Sequence, residues 1–365
     1  MKIASRFENF PPYTPIEPFE VLSARLGRSP QDIIKLDANE NPYGPSPRVR
    51  TALAEMPFPH IYPDPESREL RAALSTFAGI SEEYILAGAG ADELIDLVVR
   101  VLLEAGDRVI NCPPTFGMYS FDTLLNAGSL VEIVRNADFS LNLPAICKAV
   151  REFKPKILFL TTPNNPDGNF PSPAEIDTLL NLPVLVVIDE AYIEFADTEH
   201  SLGRSISRIK QVPEKKNLVI LRTFSKWAGL AGLRIGYGAF PRWLMPTLWK
   251  AKQPYNVNVA ASTAAMASLA DLDYLSNNVK KIQMERERLS NRLKEIPFLK
   301  VFPSQANFIL CQVLDRPGIE LKNNLAARGV LVRHYQSALL SNYIRISVGK
   351  PGDTDVIISA LKEMI

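Results

Sequence analysis

The residues best suited to chemistry stand in one run, Arg222-Thr223-Phe224-Ser225-Lys226-Trp227-Ala228-Gly229-Leu230-Ala231-Gly232-Leu233-Arg234. A lysine that directly follows an apolar strand, flanked by hydroxyls and glycines, is placed where its amine can lose hydration and attack a carbonyl. Taken alone, such a lysine reads better as a plain surface residue. Its company weights the choice, because Thr223, Ser225 and Arg234 offer two hydroxyls and a guanidinium, a set that suits a phosphate dianion. Upstream, Val184-Leu185-Val186-Val187-Ile188-Asp189-Glu190-Ala191-Tyr192 puts a carboxylate at the end of an apolar strand and a phenol three residues on. Strand ends of open α/β sheets are where ligands bind. Asp189 reads either as an ordinary cap after the strand or as the buried partner of a protonated ring nitrogen, each charge then holding the other.

Two further stretches are ambiguous on their own. Thr162-Pro163-Asn164-Asn165-Pro166-Asp167-Gly168 has the composition of a simple turn. Gly88-Ala89-Gly90-Ala91-Asp92-Glu93 is a glycine turn feeding a helix, able to cradle a phosphate on backbone N–H groups or merely to connect. It also resembles a dinucleotide-binding fingerprint, although Glu93 stands where the third glycine would be. His60, His200 and His334 lie in unrelated contexts, which argues against a metal site or a histidine-based triad.

The elements that must position these groups alternate along the chain. Strands are expected at 83–87, 108–112, 130–134, 156–161, 184–189, 217–223 and 233–240, with helices between most of them, the pattern of an α/β domain with a largely parallel sheet. Asp64-Pro65 is expected to open a helix whose apolar face is Leu70, Leu74 and Phe77 and which Gly79 ends. From about residue 255 the texture changes to an alanine-rich segment. A long amphipathic helix then carries Leu272, Leu275, Val279, Ile282, Leu289 and Leu293 on one face. Strands at 307–313, 330–333 and 343–348 with helices at 319–328 and from 353 complete a smaller α+β part.

Composition bounds the function. The chain has 365 residues and is 46% hydrophobic, enough to bury a substantial core. Lys plus Arg is 41 against 40 for Asp plus Glu, so no global field draws nucleic acid or an anionic membrane, and a bound anion must be met by local charge. Cys112, Cys147 and Cys311 lie far apart with no CxxC pair, which fits a reducing cytosol rather than a disulfide framework or a zinc site. No signal-peptide core or membrane-length apolar run is read, so a cytoplasmic protein is expected.

Taken together the sequence resembles the histidinol-phosphate aminotransferases, pyridoxal-phosphate enzymes of fold type I. The narrower resemblance rests on Asp37-Ala38-Asn39-Glu40-Asn41-Pro42-Tyr43-Gly44-Pro45-Ser46-Pro47, Tyr62-Pro63-Asp64, Gly90-Ala91-Asp92-Glu93-Leu94-Ile95 and Asn342-Tyr343-Ile344-Arg345-Ile346-Ser347-Val348-Gly349, in that order and spacing. It implies an α/β large domain at 51–260 with a mostly parallel central sheet flanked by helices. Residues 1–50 would form an N-terminal arm and part of the small domain, and 261–365 the rest of a smaller α+β domain.

By the same resemblance Lys226 anchors the cofactor aldehyde and, once substrate displaces it, shuttles the proton between the substrate carbon and the cofactor C4′. Asp189 keeps the pyridine nitrogen protonated, so that the ring serves as electron sink. Asn165 and Tyr192 hydrogen-bond the ring oxygen O3′, and Phe116 stacks on the ring where many relatives have tyrosine. The N–H groups of Ala91 and Asp92, with Thr223, Ser225 and Arg234, form the phosphate cup. Tyr62 reaches that phosphate from the neighbouring subunit of a symmetric homodimer. Arg345, Arg333 and, from the arm, Tyr13 hold the substrate. Asp167 stands where relatives carry threonine and brings a negative charge toward the cofactor. The implied reaction converts L-histidinol phosphate and 2-oxoglutarate to imidazole acetol phosphate and L-glutamate. An aromatic aminotransferase or a threonine-phosphate decarboxylase on the same framework stays open, as do, outside this class, a non-catalytic binding protein and a nucleotide-binding oxidoreductase.

Overall fold

Apolar runs of three to six residues set the strands. In the computed structural model, which describes residues 2–8, 10 and 17–365, these are β1 Ile34–Leu36, β2 Ile85–Gly88, β3 Arg108–Asn111, β4 Ser129–Glu132, β5 Ile157–Thr161, β6 Leu185–Asp189, β7 Leu218–Thr223, β8 Gly236–Ala239, β9 Leu299–Val301, β10 Phe308–Val313, β11 Val330–His334 and β12 Tyr343–Ser347. Tyr13 lies outside the described residues.

Seven strands form one sheet in the order β2-β8-β7-β6-β5-β3-β4. All its pairs are parallel except those of β8, which runs antiparallel to both neighbours. The central strands β5, β6 and β7 are buried at every position, because apolar cover lies on both faces and leaves no side for polar alternation. On one face Phe159, Val187, Val219 and Leu221 pack with Leu94, Leu97 and Val98 of the helix Ala91–Leu102. On the other, Leu158, Leu160, Val186, Ile188 and Ile220 join a core that reaches Leu74 of the helix Arg68–Ala78 and Leu275 and Ile282 of the helix Leu272–Leu293.

Five strands form the second sheet, β1-β11-β12-β10-β9. Here β1 lies parallel to β11, Ile34 opposite Val330, so an early segment completes a sheet whose other strands span residues 299–347. Neither β1 nor β9 was expected. Three residues are too few for an alternation that would separate a strand from a loop.

The sequence-based boundaries shift where the backbone turns left-handed. The helix expected from Asp64-Pro65 starts at Arg68, because Ser67 sits at φ 49°. Asp64 instead accepts the N–H groups of Glu66 and Arg68 at 3.1 and 2.8 Å, closing the preceding turn. The strand expected from residue 233 starts at Gly236, because Arg234 sits at φ 55°. Gly79, at φ 71°, ends its helix as expected. No helix among the described residues is long and apolar enough to cross a membrane.

Candidate active site

The carboxyl ends of the parallel strands, the turn after β7 and the start of the helix Ala91–Leu102 converge on one cavity of about 120 Å³. It is lined by Ala91, Asp92, Phe116, Asn165, Asp189, Tyr192, Thr223, Ser225, Lys226 and Arg234, ten of the residues singled out from sequence, together with Thr161, Ala191 and Ala231.

Lys226 enters it from the bend that follows β7, and its Nζ donates to the Ala38 carbonyl at 3.2 Å. Burial, and next the Arg345 guanidinium, lower the amine from the usual lysine range to about 8. A neutral, nucleophilic amine is therefore accessible near neutral pH.

Asp189, the last residue of β6 and part of the same cavity wall, is 3% exposed. Its Oδ1 accepts the Ala191 N–H at 3.0 Å and its Oδ2 accepts the Tyr119 hydroxyl at 2.7 Å. The Tyr119 hydroxyl also lies 2.7 Å from Thr161 Oγ1, and its ring stacks on Phe159 at 4.7 Å. Burial pushes the Asp189 carboxyl up to about 6. A buried carboxylate held by two neutral donors, with no ion pair among the described residues, fits a cationic heterocycle placed in the cavity. Tyr119 was missed. Its signal was the three-residue offset from Phe116, which brings the two rings to 5.6 Å, edge to face, at the start of one helix.

The anion end is assembled from local backbone geometry. Thr223 Oγ1 donates to Ser225 Oγ at 2.9 Å. The left-handed turn at Arg234 swings its guanidinium over the helix start, 3.5 Å from Ser225 Oγ and 2.9 Å from Asp92 Oδ2. Gly90, the N-cap, holds φ 86° and ψ 173°, a backbone that essentially only glycine adopts, and a Cβ there would lie 2.7 Å from Arg234 Nη2. Backbone N–H groups of a helix start, two hydroxyls and one guanidinium make a cradle for a phosphate. The Asp92 carboxylate was considered only for its N–H; in the structure it balances the Arg234 charge.

A larger hollow of about 650 Å³ adjoins, sharing Asp92, Phe116, Asn165, Tyr192 and Lys226 and adding Arg333, Tyr335, Arg345 and the Asp37–Asn39 segment. Arg345, 6% exposed on β12, donates from Nη1 to Asn165 Oδ1 at 2.6 Å and from Nη2 to the Asp37 carbonyl at 2.8 Å. Its guanidinium lies 5.2 Å from the centre of the Phe308 ring. Arg333 on β11 stands opposite it. The Asp37–Asn39 run carried the resemblance but was assigned no role. Its carbonyls in fact meet Arg345, Lys226 and, from Asn39, the Asn307 amide at 3.0 Å.

Two expected residues lie elsewhere. Tyr62 is 77% exposed and stacks on Tyr255 at 4.5 Å, beside a separate surface hollow, and does not line the cavity of its own chain. Asp167 does not bring its charge to the cavity. It is 1% exposed inside its own turn, with Oδ1 accepting the Asn169 N–H at 2.7 Å and Oδ2 bonded to the Asn164 amide. The side chain folds back because a carboxylate two residues before an N–H closes an Asx turn.

Comparisons with known proteins show the family and the fold. Residues 31–361 match the family of class I and II aminotransferases. The chain is 55% identical over 352 residues to the chloroplastic histidinol-phosphate aminotransferase of Nicotiana tabacum, covering 96% of this chain and 84% of that one. It is 49% identical to the histidinol-phosphate aminotransferase of Roseiflexus castenholzii, covering 97% and 95%. Its fold superposes with TM-score 0.87, at 28% identity and over 100% and 99% of the two chains, on the Sinorhizobium meliloti histidinol-phosphate aminotransferase crystallised with pyridoxal-5′-phosphate.

Proposed function

The chain belongs to the class I and II aminotransferases, and from that membership we propose that it is a pyridoxal-phosphate enzyme. It transfers the amino group of L-histidinol phosphate to 2-oxoglutarate, yielding imidazole acetol phosphate and L-glutamate in histidine biosynthesis. One observation carries this reading: a single cavity brings together an amine lowered to about 8, a buried carboxylate without an ion pair among the described residues and a cradle for a phosphate.

When bound, pyridoxal phosphate supplies an electrophilic carbon and an electron-withdrawing ring. Lys226 would hold the cofactor through its amine and, once free, would serve as the base that moves the proton of the substrate carbon. Its lowered basicity keeps both protonation states within reach near neutral pH. Asp189, oriented by Tyr119, would keep a proton on the ring nitrogen. Asn165 and Tyr192 would hold the ring oxygen, and Phe116 would cover the ring. The helix start at Ala91 and Asp92, with Thr223, Ser225 and Arg234, binds the phosphate.

Arg345, with Arg333 beside it, holds the substrate anion, a phosphate ester in one half-reaction and a carboxylate in the other. The exposed Tyr62 serves the phosphate of a second subunit in a homodimer, and Tyr13 closes over the substrate from the arm. A large domain at 51–260 and a small one at 261–365 plus part of 1–50, and a cytoplasmic location suited to three free cysteines, belong to the same reading.

The test is a substrate panel on protein of measured cofactor content. Histidinol phosphate with 2-oxoglutarate should give a kcat/KM well above that with phenylalanine, and threonine phosphate should release no carbon dioxide. Preference for phenylalanine, or carbon dioxide release, overturns the substrate assignment.

A further inference from the structure

Asn39 touches neither the amine of Lys226 nor the carboxylate of Asp189, yet it is 1% exposed and held in a left-handed backbone at φ 56°. Asn is among the few residues that tolerate that conformation. Its backbone N–H donates to Ser347 Oγ at 2.8 Å, and Ser347 Oγ donates back to Asn39 Oδ1 at 2.9 Å. This reciprocity fixes the amide. In the flipped orientation the Ser347 hydroxyl, 2% exposed and with no other hydrogen bond among the described residues, would accept twice and leave its own proton without an acceptor. The Asn39 Nδ2 therefore faces Tyr192, donating to its hydroxyl at 3.1 Å. The Tyr192 ring is itself pinned edge-on against Phe308, centroids 5.1 Å apart.

We propose that Asn39 is a positioning residue for Tyr192: its amide, oriented by Ser347, fills an acceptor site of the phenol and so turns the phenol's proton into the cavity. A phenol has one proton to give. With a donor amide against its oxygen, that proton goes to whatever acceptor fills the cavity, which on the proposed function is the cofactor's ring oxygen. The inference rests on that reading of the site.

The test uses holoenzyme and follows the pH midpoint of the cofactor's visible absorption, with the variants Asn39→Asp and Tyr192→Phe singly and together. Losing a donor to an anionic oxygen raises its basicity, so Tyr192→Phe should move the midpoint up. Asn39→Asp replaces the donor by an acceptor that competes for the phenol's proton. Its upward shift should be larger by about 1 pH unit when Tyr192 is present than in the Tyr192→Phe background. Equal shifts in both backgrounds, to within about 0.3 unit, overturn the proposal while leaving the proposed function standing. If Tyr192→Phe leaves the midpoint in place, Tyr192 does not face the cofactor, and the proposal falls with that part of the reading. Should Asn39→Asp not be recovered folded, Asn39→Gly, which keeps the left-handed backbone, decides by the same comparison.

Discussion

Arg333 and Arg345 stand directly opposite each other on β11 and β12, two guanidiniums on one face of an antiparallel pair. Like charges so paired disfavour each other, and an anion between or beside them reverses the sign. Both line the hollow that adjoins Lys226. Arg345 is the more buried of the two and is fixed by Asn165 and the Asp37 carbonyl. Arg345→Ala is expected to weaken substrate binding by about 2–5 kcal/mol, the cost of removing one partner of a buried charge pair. Arg333→Ala should cost less. Steady-state KM values for both substrates check this.

Lys226 makes a prediction with a pH sign. Its amine is depressed to about 8, so the neutral form falls about tenfold for each pH unit below that value. The rate at which apoprotein incorporates pyridoxal phosphate should climb from pH 6 to pH 8 and level off above. Arg345→Ala removes one of the charges that lower the amine, and should move the midpoint upward. The folded value lies below the unfolded one, so the protonated amine costs the apoprotein stability below about pH 8, and that cost fades toward the unfolded value. Lys226→Met apoprotein should accordingly gain on the parent in thermal unfolding at pH 7 and lose that gain at pH 10.

Asp189 titrates in the opposite sense. Burial holds its carboxyl at about 6, above the unfolded value, so the charged form penalises the apoprotein as pH rises from about 4 through 6. A cationic ring relieves that penalty. The thermal shift on adding pyridoxal phosphate should therefore be greater at pH 7.5 than at pH 5 by a margin that Asp189→Asn reduces, the part left over following the Lys226 amine. An equal margin in the variant would remove Asp189 from the ring nitrogen.

Gly90→Ala probes the anion end. The added Cβ would sit 2.7 Å from Arg234 Nη2 in a left-handed backbone, displacing the guanidinium from the helix start. Weaker pyridoxal-phosphate binding, about tenfold or more for the loss of one charge-assisted bond, is expected in an absorbance titration. Pyridoxal without the phosphate should bind the two proteins alike.

How much was legible before the structure follows from where the information sits. Groups that act within a few residues of their strand ends, such as Asp189, Lys226 and the Thr223-Ser225 pair, could be read from local spacing, whereas Phe116 and the roles of Asn165 and Tyr192 came only from the resemblance; all of them line one cavity. What escaped depends on contacts distant in sequence. Tyr119 reaches Asp189 across 70 positions, and Asn39 reaches Ser347 across 308. β1 takes its place in the second sheet through β11, nearly three hundred residues on, a pairing that no three-residue stretch announces. Asp167 was misjudged for a related reason. Its position in the turn was legible, but the direction of its side chain was decided by the Asn164 amide and the Asn169 N–H.

The most direct check is borohydride reduction of the holoenzyme followed by peptide mapping. The pyridoxyl group should be found on the ε-nitrogen of Lys226, in the peptide that carries Thr223 and Ser225. A label on another lysine, or no stable label on protein that is visibly loaded, would contradict the assignment from which every role given to the surrounding side chains descends.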